Sequence, residues 1–301
     1  MRVLIQNYAS PMSTEPMYFY KCLTHTGVEA ALWSDPNVSA FDAFDSVKPS
    51  VFISHWKFLT SDILKYLSQN KSIKLVLNVT FAGQDDLEKV EQVLEASSVV
   101  PEFLFTNQHE CLYKLKAKNK LVNIIPAVDI FIQIDKGLGD WKHECAALTT
   151  KPTEQFFKIC SSNEVHHKLC FGGNEETFDI NVDVQSMPSL CLKYKKLFIV
   201  DDISVATSQI MFEASLRSEN INIQVPEEQK GLLGQVLMSL FQDSSDKEKF
   251  SDILKSQVLT KHNCFKRTAR LARLLKDSEC AQKLEKIGEQ IKMEDSSGKV
   301  N

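Results

Sequence analysis

The sequence predicts an α/β protein with two doubly wound parallel sheets and a C-terminal helical segment. From residue 2 onward, apolar runs of four to seven residues alternate with stretches of ten or more residues that have helical periodicity. The alternation pauses at KGLGDWKH (136–143), resumes, and gives way to helical patterns alone after residue 245. Alternating strands and helices build right-handed βαβ units and parallel sheets. We therefore expect domains at 1–136 and 137–245, followed by a helical segment at 246–301.

The first half carries six strand signals, each followed by a polar loop and, in five cases, a helix signal. The strands are expected at RVLIQ (2–6), VEAALWS (28–34), SVFISHW (50–56), SIKLVLNVT (72–80), PEFLFTN (101–107) and LVNIIPAVD (121–129). The helices are expected at 17–27, 39–49, 60–70, 85–97 and 107–118. Ser13 or Thr14 can cap the first helix, and Thr60 or Ser61 the third, because side-chain oxygens accept from free amides at helix starts.

The second half repeats this rhythm with different residues. Strands are expected at ECAALTT (144–150), HHKLCFGG (166–173), LFIVDD (197–202) and NINIQV (220–225). Helices are expected at 153–160, 186–196, 204–218 and 227–242, and the longest helical run of the last segment covers 266–292. The two halves share an architecture but no repeat of fixed period.

Composition and charge narrow the class of protein. The formal net charge is −4, with 43% hydrophobic and 25% charged residues, which argues against a protein that mainly coats nucleic acid. No segment approaches the roughly 18 apolar residues that cross a bilayer, and the N-terminus lacks signal-peptide character. The eight cysteines form no C-x-x-C pair, so we expect no zinc site and mostly buried, reduced thiols. These features predict a cytoplasmic protein.

Candidate ligand contacts follow the strands, because ligands bind at the carboxyl ends of open parallel sheets. His55 and Trp56 end the third strand. In the second half, Lys151 precedes a possible cap at Thr153, so that a cation and a helix N-terminus would converge on a phosphate. Gly172, Gly173 and Ser208 lie in the following loops, although each taken alone fits an ordinary turn or cap. Glu213 lies in an apolar helix and is either a ligand contact or part of an exposed face.

Five stretches carry a resemblance to a known family: KPSVFISH (48–55), FLFTNQHECLYKL (103–115), IIPAVDIF (124–131), KYKKLFIVDD (193–202) and SQIMFEASL (208–216). In order and spacing they resemble nucleotide-sugar glycosyltransferases of the GT-B type, near the group-1 and spore-maturation-protein-like families. The resemblance covers roughly residues 1 to 242. Two features depart from it. LRSENINI stands where these families usually have a glycine after the glutamate, and ASPMSTEP has no glycine.

The resemblance implies two Rossmann-like domains that face each other across a cleft. Glu213 would hold hydroxyls of the donor, Lys151 would meet its diphosphate, and Gly172, Gly173 and Ser208 would complete the donor site. His55 would act as general base or orient the acceptor, although a capped histidine at a strand end is an equal alternative. Ser13, Trp56 and His109 would lie on the acceptor side. A nucleoside-diphosphate sugar would be the co-substrate, with no other cofactor and no metal, because Asp201-Asp202 only imitates an Asp-x-Asp motif.

The sequence is also compatible with two other functions. A two-domain protein without catalysis could close on a small ligand, either as a binding module or as an inactive relative of the transferases. A phage-type transferase acting on a modified DNA base is the other alternative. The basic run KHNCFKRTARLARLLK (261–276) could contact phosphates, or it could be a solvated helix face.

Overall fold

The chain divides into two compact units. The structure is a computed structural model, and it describes residues 1–8, 15–80, 82–107, 115–124, 127, 143–149, 153–171, 179–182, 194–200, 220–224, 256 and 258–296. The first unit comprises Met1–Ala9, Glu15–Ile125 and Cys264–Gly288; the second comprises Ser10–Thr14, Pro126–Asn263 and Glu289–Asn301. The first unit is therefore built from segments at both ends of the chain.

A six-stranded parallel sheet forms the centre of the first unit. Its strands are β1 (Arg2–Gln6), β2 (Glu29–Trp33), β3 (Val51–His55), β4 (Lys74–Asn78), β5 (Phe103–Thr106) and β6 (Leu121–Asn123). The order across the sheet is β2-β1-β3-β4-β5-β6, with every pair parallel. The winding direction reverses between β1 and β3. The carboxyl ends of these two strands therefore form a topological switch point, where open α/β sheets bind ligands.

Helices cover both faces of this sheet. They are α1 (Glu15–His25), α2 (Ala40–Val47), α3 (Ser61–Gln69) and α4 (Gln84–Ala96), and a short 3-10 turn covers Trp56–Phe58. Side chains of α2, α3 and α4 pack with Leu104 of β5 in one hydrophobic cluster. The next residue, Phe105, meets Phe19 of α1 with ring centroids 6.4 Å apart. Because successive strand residues point to opposite faces, α1 covers the other face.

The second unit contains a five-stranded parallel sheet. Its described elements are β7 (His143–Thr149), α5 (Glu154–Ser162), β8 (His167–Phe171), β9 (Ile180–Val182), β10 (Tyr194–Val200) and β11 (Asn220–Gln224). The strand order is β11-β10-β7-β8-β9, again with all pairs parallel. Counted from β9 this is the Rossmann order, and its switch point lies between β7 and β10.

The last helices are α6 (Cys264–Leu274) and α7 (Ser278–Ser296). α6 belongs to the first unit, where the ring of Phe265 lies 5.7 Å from that of His25 at the end of α1. The predicted helical segment therefore contributes a layer to the first unit. Both predicted domain boundaries, after residues 136 and 245, fall outside the described residues, so the three-part division stays a prediction.

The predicted fold class, α/β with two doubly wound parallel sheets and C-terminal helices, is confirmed. Three local predictions differ from the structure. Strand β9 was not predicted, although FDINVDV (178–184) alternates apolar and polar residues. The helix predicted at 186–196 overlaps β10, which begins at the buried Tyr194. The helical run at 266–292 is interrupted between α6 and α7.

The break between α6 and α7 has a clear cause. Lys276 adopts a left-handed conformation (φ 65°), which ends α6. The next residue, Asp277, accepts a hydrogen bond from the backbone N–H of Cys280 at 3.0 Å and so caps α7. Such a left-handed residue after a helix is usually glycine, since a Cβ strains this conformation.

Two further sequence expectations concern the environment of the protein. Six cysteines lie within the described part of the chain, and all six are buried, as expected: Cys22, Cys145, Cys160, Cys170, Cys264 and Cys280. Among the helices of that same part, none is both long enough and apolar enough to cross a membrane. The cytoplasmic location stays a prediction.

Replacing Lys276 with glycine should stabilise the protein. Lys276→Gly removes the strain of a left-handed residue with a Cβ, so we expect the free energy of unfolding to rise by up to about 1 kcal/mol. Urea unfolding measures the change. Lys276→Ala is the matched control: it removes the same ammonium group but keeps the Cβ, and it should leave stability nearly unchanged. Equal effects of both variants would show that φ at this position is not strained.

Candidate functional site

The switch point of the first sheet holds a group of polar and aromatic side chains. The strands end there in buried polar residues: Ser54, Asn78, Thr80, Thr106 and Asn123. Tyr8, just beyond β1, is buried, and its ring centroid lies 5.5 Å from that of His55 at the end of β3. Ser54 donates to the side chain of Gln6 at 2.5 Å and so joins the ends of β3 and β1. The edge is polar but closely packed.

His55 uses both ring nitrogens. The backbone N–H of Lys57 donates to Nδ1 at 3.3 Å, so His55 caps the 3-10 turn that follows it. Nε2 lies 3.2 Å from the carbonyl oxygen of Thr80. Since a carbonyl can only accept, Nε2 carries the proton, and the ring is the neutral Nε2–H tautomer. This arrangement is typical of a structural histidine that caps a turn and has hydrogen bonds at both ring nitrogens.

The electrostatic environment also favours the neutral ring. Burial lowers the pKa of His55 below its ordinary value, and the Lys57 charge adds to this effect, while the Thr80 carbonyl and the Glu15 carboxylate oppose it. A general-base role needs an open ring nitrogen. In this arrangement Nδ1 could accept a proton only after its bond from Lys57 breaks. The geometry therefore suits a residue that orients a ligand or the loop around it.

Aromatic rings extend from His55 towards the surface. Trp56 is partly buried and its indole N–H donates to the same Thr80 carbonyl at 3.3 Å. Phe58 is 40% exposed, and its ring centroid lies 6.2 Å from that of His55. Lys57 places its ammonium 5.2 Å from the Trp56 ring. Rings that are partly exposed beside buried polar groups are typical of small-ligand sites.

A buried carboxylate, Glu15, organises this edge of the sheet. Glu15 is the first residue of α1 and is 1% exposed. Its oxygens accept hydrogen bonds from Tyr8 Oη at 2.6 Å and from Asn78 Nδ2 at 2.8 Å. The guanidinium of Arg267 forms a salt bridge with the same carboxylate. A buried charge is tolerated only with such a set of partners.

Arg267 reaches this position from α6. It is 4% exposed and donates to the carbonyl of Ile124 at 2.7 Å and to Oδ1 of Asn107, in addition to Glu15. Its guanidinium carbon lies 5.7 Å from the ring centroid of Phe19, and the rings of Tyr18 and Phe105 are within 6.0 Å.

Burial and the nearby Glu15 charge raise the pKa of Tyr8, so its hydroxyl stays protonated and donates.

Neither Glu15 nor Arg267 is among the site residues that the sequence predicts. The sequence does contain a pattern that predicts burial of Arg267. This residue lies three positions after Cys264 and four before Leu271, and both of these are buried. Spacings of three and four place residues on one helix face. Both interpretations of 261–276, phosphate contact and a solvated helix face, are wrong for Arg267, which is buried in the core.

Most of the predicted site residues lie outside the described part of the chain, and their placement stays a prediction. They are Ser13, His109, Lys151, Gly172, Gly173, Ser208 and Glu213. The two predicted ligand contacts within the described residues, His55 and Trp56, lie together, with ring centroids 5.9 Å apart. The cap predicted at Thr153 is confirmed, since its hydroxyl accepts from the backbone N–H of Phe156 at 3.1 Å. The helix start expected to meet a phosphate is therefore present.

A histidine cluster lies at one edge of the sheet in the second unit. The ring of His143 at the start of β7 is 4.7 Å from that of His167 and 5.7 Å from that of His166. Tyr194, the first residue of β10, has its hydroxyl 2.9 Å from Nδ1 of His167. These residues occupy the amino-terminal ends of the strands. Ligands bind parallel sheets at the opposite ends.

Comparison with known proteins yields structural matches only. No protein-family model matches the chain, and no curated protein matches it in sequence. Among solved structures it is similar to the calicheamicin glycosyltransferase CalG4, with 8% identity over 91% of this chain and 98% of that chain and a TM-score of 0.43.

Two other solved structures show the same level of similarity. The glycotransferase of kitacinnamycin has 11% identity over 96% of this chain and 98% of that chain, with a TM-score of 0.39. The spinosyn rhamnosyltransferase SpnG complexed with thymidine diphosphate has 12% identity over 97% and 96%, with a TM-score of 0.38. Similarities this distant do not place the chain in a family, and no residue role transfers from them.

The lowered pKa of His55 predicts a specific pH dependence of stability. An unfolded chain takes up a proton near the ordinary value of 6.5, whereas folded His55 does so only at lower pH. The contribution of His55 to the free energy of unfolding is therefore complete above pH 6.5, and it falls as the pH decreases towards the folded pKa. His55→Asn should weaken this dependence in urea unfolding between pH 7.5 and 5. His25→Asn, which removes an exposed histidine, is the control, and an unchanged slope in His55→Asn would contradict the prediction.

Removing one partner of the buried ion pair should be costly. Arg267→Met leaves the Glu15 charge buried without its guanidinium, and we expect a loss of about 3–5 kcal/mol in the free energy of unfolding. The double variant Glu15→Gln/Arg267→Met should lose less, because neither charge remains. On the same helix, Arg273 is exposed and pairs with Glu285, so Arg273→Met should cost under about 1 kcal/mol. Similar losses for Arg267→Met and Arg273→Met would contradict this assignment.

Proposed function

We propose that the chain is a GT-B-type glycosyltransferase that moves a sugar from a nucleoside-diphosphate sugar to an acceptor hydroxyl. The position of His55 carries the proposal. The motif KPSVFISH ends with this histidine at the switch point between β1 and β3. This is the place in an open α/β sheet where a ligand is expected. The second doubly wound sheet on the same chain offers a second switch point for the donor.

On the acceptor side, the partly exposed rings of Trp56 and Phe58 offer apolar contact, and the His55 ring adds an oriented dipole. Ser13 and His109 complete this side of the proposed site. In the reaction, the acceptor oxygen bonds to the anomeric carbon, the bond from that carbon to the diphosphate breaks, and the acceptor proton must leave. We propose that His55 orients the acceptor, and that it takes this proton only if its bond from Lys57 opens.

On the donor side, the proposal uses the loops that follow β7, β8 and β10. Thr153 caps α5, and Lys151 comes two residues earlier, so that a cation and free helix amides would face the diphosphate. Fixed positive charge here would stabilise the leaving group as it becomes more negative, without a metal. Gly172 and Gly173 would allow close approach, while Ser208 and Glu213 would hold donor hydroxyls.

The buried position of Arg267 weakens the alternative of a DNA-modifying enzyme. Within the basic run at 261–276, Arg267 faces the core and Arg273 pairs with Glu285, which leaves fewer cations for phosphate contacts. A protein that binds without catalysis would use the same two sheets. Donor hydrolysis, measured with and without candidate acceptors, separates that alternative from a transferase.

Titration calorimetry with a panel of nucleotide sugars tests the proposal, and kinetics then tests the residues. His55→Ala should lower turnover by about 10²- to 10⁴-fold with little change in donor affinity, because its role belongs to the transition state. Glu213→Ala should instead weaken donor binding. His25→Ala serves as the matched histidine control and should retain activity. Binding of nicotinamide or adenine dinucleotides, with no nucleotide sugar bound, would overturn the proposal.

A further inference from the structure

A continuous series of hydrogen bonds connects Arg267 with His55 and Trp56. We infer that Arg267 is a positioning residue that acts through Glu15 and Asn107 to hold the carboxyl edge of the first sheet, and with it the rings of His55 and Trp56, in a single arrangement. Arg267 itself lies in the core, so it does so without contacting a ligand. The importance of this arrangement for turnover rests on the proposed function, whereas the positioning itself does not.

The first step is the fixed orientation of Glu15. Arg267 and Asn78 both donate to its carboxylate, and Tyr8 donates from the loop after β1. These donors come from three directions: the C-terminal helix α6, the end of β4 and the end of β1. A carboxylate that accepts from all three has little freedom to rotate. Helix α1 is thereby fixed at its first residue.

The second step passes through Asn78. Its Nδ2 donates to Glu15 at 2.8 Å, while its Oδ1 accepts from the backbone N–H of Thr80 at 2.8 Å. An amide bonded at both ends cannot flip without losing both bonds. The backbone after β4 is therefore held in the position that the Glu15 carboxylate determines.

The third step is the Thr80 carbonyl, which accepts from both His55 Nε2 and Trp56 Nε1, at 3.2 and 3.3 Å. A second route reaches the same residue. Arg267 donates to Asn107 Oδ1, and the backbone N–H of Asn107 donates to Thr80 Oγ1 at 3.0 Å. Thr80 is thus held by Asn107, which Arg267 contacts directly, and by Asn78, which Arg267 reaches through Glu15. Moving the guanidinium would loosen the acceptor of both rings.

A stabilising ion pair without this positioning role would give different results. Such a pair would change the free energy of unfolding but would leave the His55 tautomer and the Trp56 hydrogen bond intact in every variant that folds. If Arg267 has the positioning role, the His55 tautomer and the Trp56 hydrogen bond both change in variants of Arg267 that remain folded. The test is therefore spectroscopic, and it needs neither a substrate nor an assay of activity.

Nuclear magnetic resonance of the full chain provides this test. The protein has seven histidines and three tryptophans, and the variants His55→Gln and Trp56→Phe assign the two signals. In wild-type protein at pH 8 we expect the His55 ring nitrogens to show one neutral tautomer, protonated at Nε2. In Arg267→Lys and in Glu15→Gln/Arg267→Met, the nitrogen shifts should move towards the average of two tautomers. Exchange of the Trp56 indole proton should become at least about tenfold faster, since its acceptor is no longer fixed.

Controls and alternative outcomes follow from the same helix and the same network. Arg273→Met should leave both signals as in wild type. If the double variant does not fold, Arg267→Lys retains the charge, and Tyr8→Phe removes only one hydroxyl from Glu15. Unchanged His55 and Trp56 signals in the variants that fold would overturn the inference. If the signals change but no nucleotide sugar binds, the positioning stands and the proposed function fails.

Discussion

The carboxyl edge of the first sheet depends on one buried interaction, the ion pair between Glu15 and Arg267. Two charges that leave water lose several kcal/mol of hydration each, and their attraction offsets this only when other groups complete their hydrogen bonds. Here Tyr8 and Asn78 also donate to the carboxylate, while the Ile124 carbonyl and the Asn107 side chain accept from the guanidinium. These partners come from the ends of β1, β4, β5 and β6, so the pair fixes the strand ends relative to α1 and α6.

Much of the fold could be predicted because its signals are local. Apolar runs such as RVLIQ correspond to strands, and the caps predicted at Thr60 and Thr153 are present at helix starts. The sequence predicts one uninterrupted helix at 266–292, whereas the structure has a break at Lys276. A left-handed residue that ends a helix is usually glycine, and a lysine at this position gives no such signal. Strand β9 is not predicted for a different reason: its alternating pattern is present in the sequence, but it is short.

The candidate site was only partly predictable, and the reason is physical. His55 and Trp56 follow a recognisable strand, so topology alone brings them to the switch point. The tautomer of His55 and the hydrogen bond of Trp56 depend instead on the Thr80 carbonyl. Thr80 is bonded to Asn78 and Asn78 to Glu15, which becomes their neighbour only when the sheet forms. Arg267 lies 252 positions from Glu15, and no local pattern indicates which carboxylate a distant arginine will meet. Periodicity could place it on a buried face but could not identify its partner.

The return of α6 to the first unit has a consequence for how the protein is made. During synthesis, Glu15 precedes Arg267 by 252 residues, which is an interval of roughly 10–50 s at ordinary translation rates. Throughout that interval the carboxylate must keep its hydration, because the guanidinium that allows its burial does not yet exist. The unit that begins first is therefore completed after the second unit has emerged. The nascent chain should therefore expose this unfinished sheet edge throughout that interval.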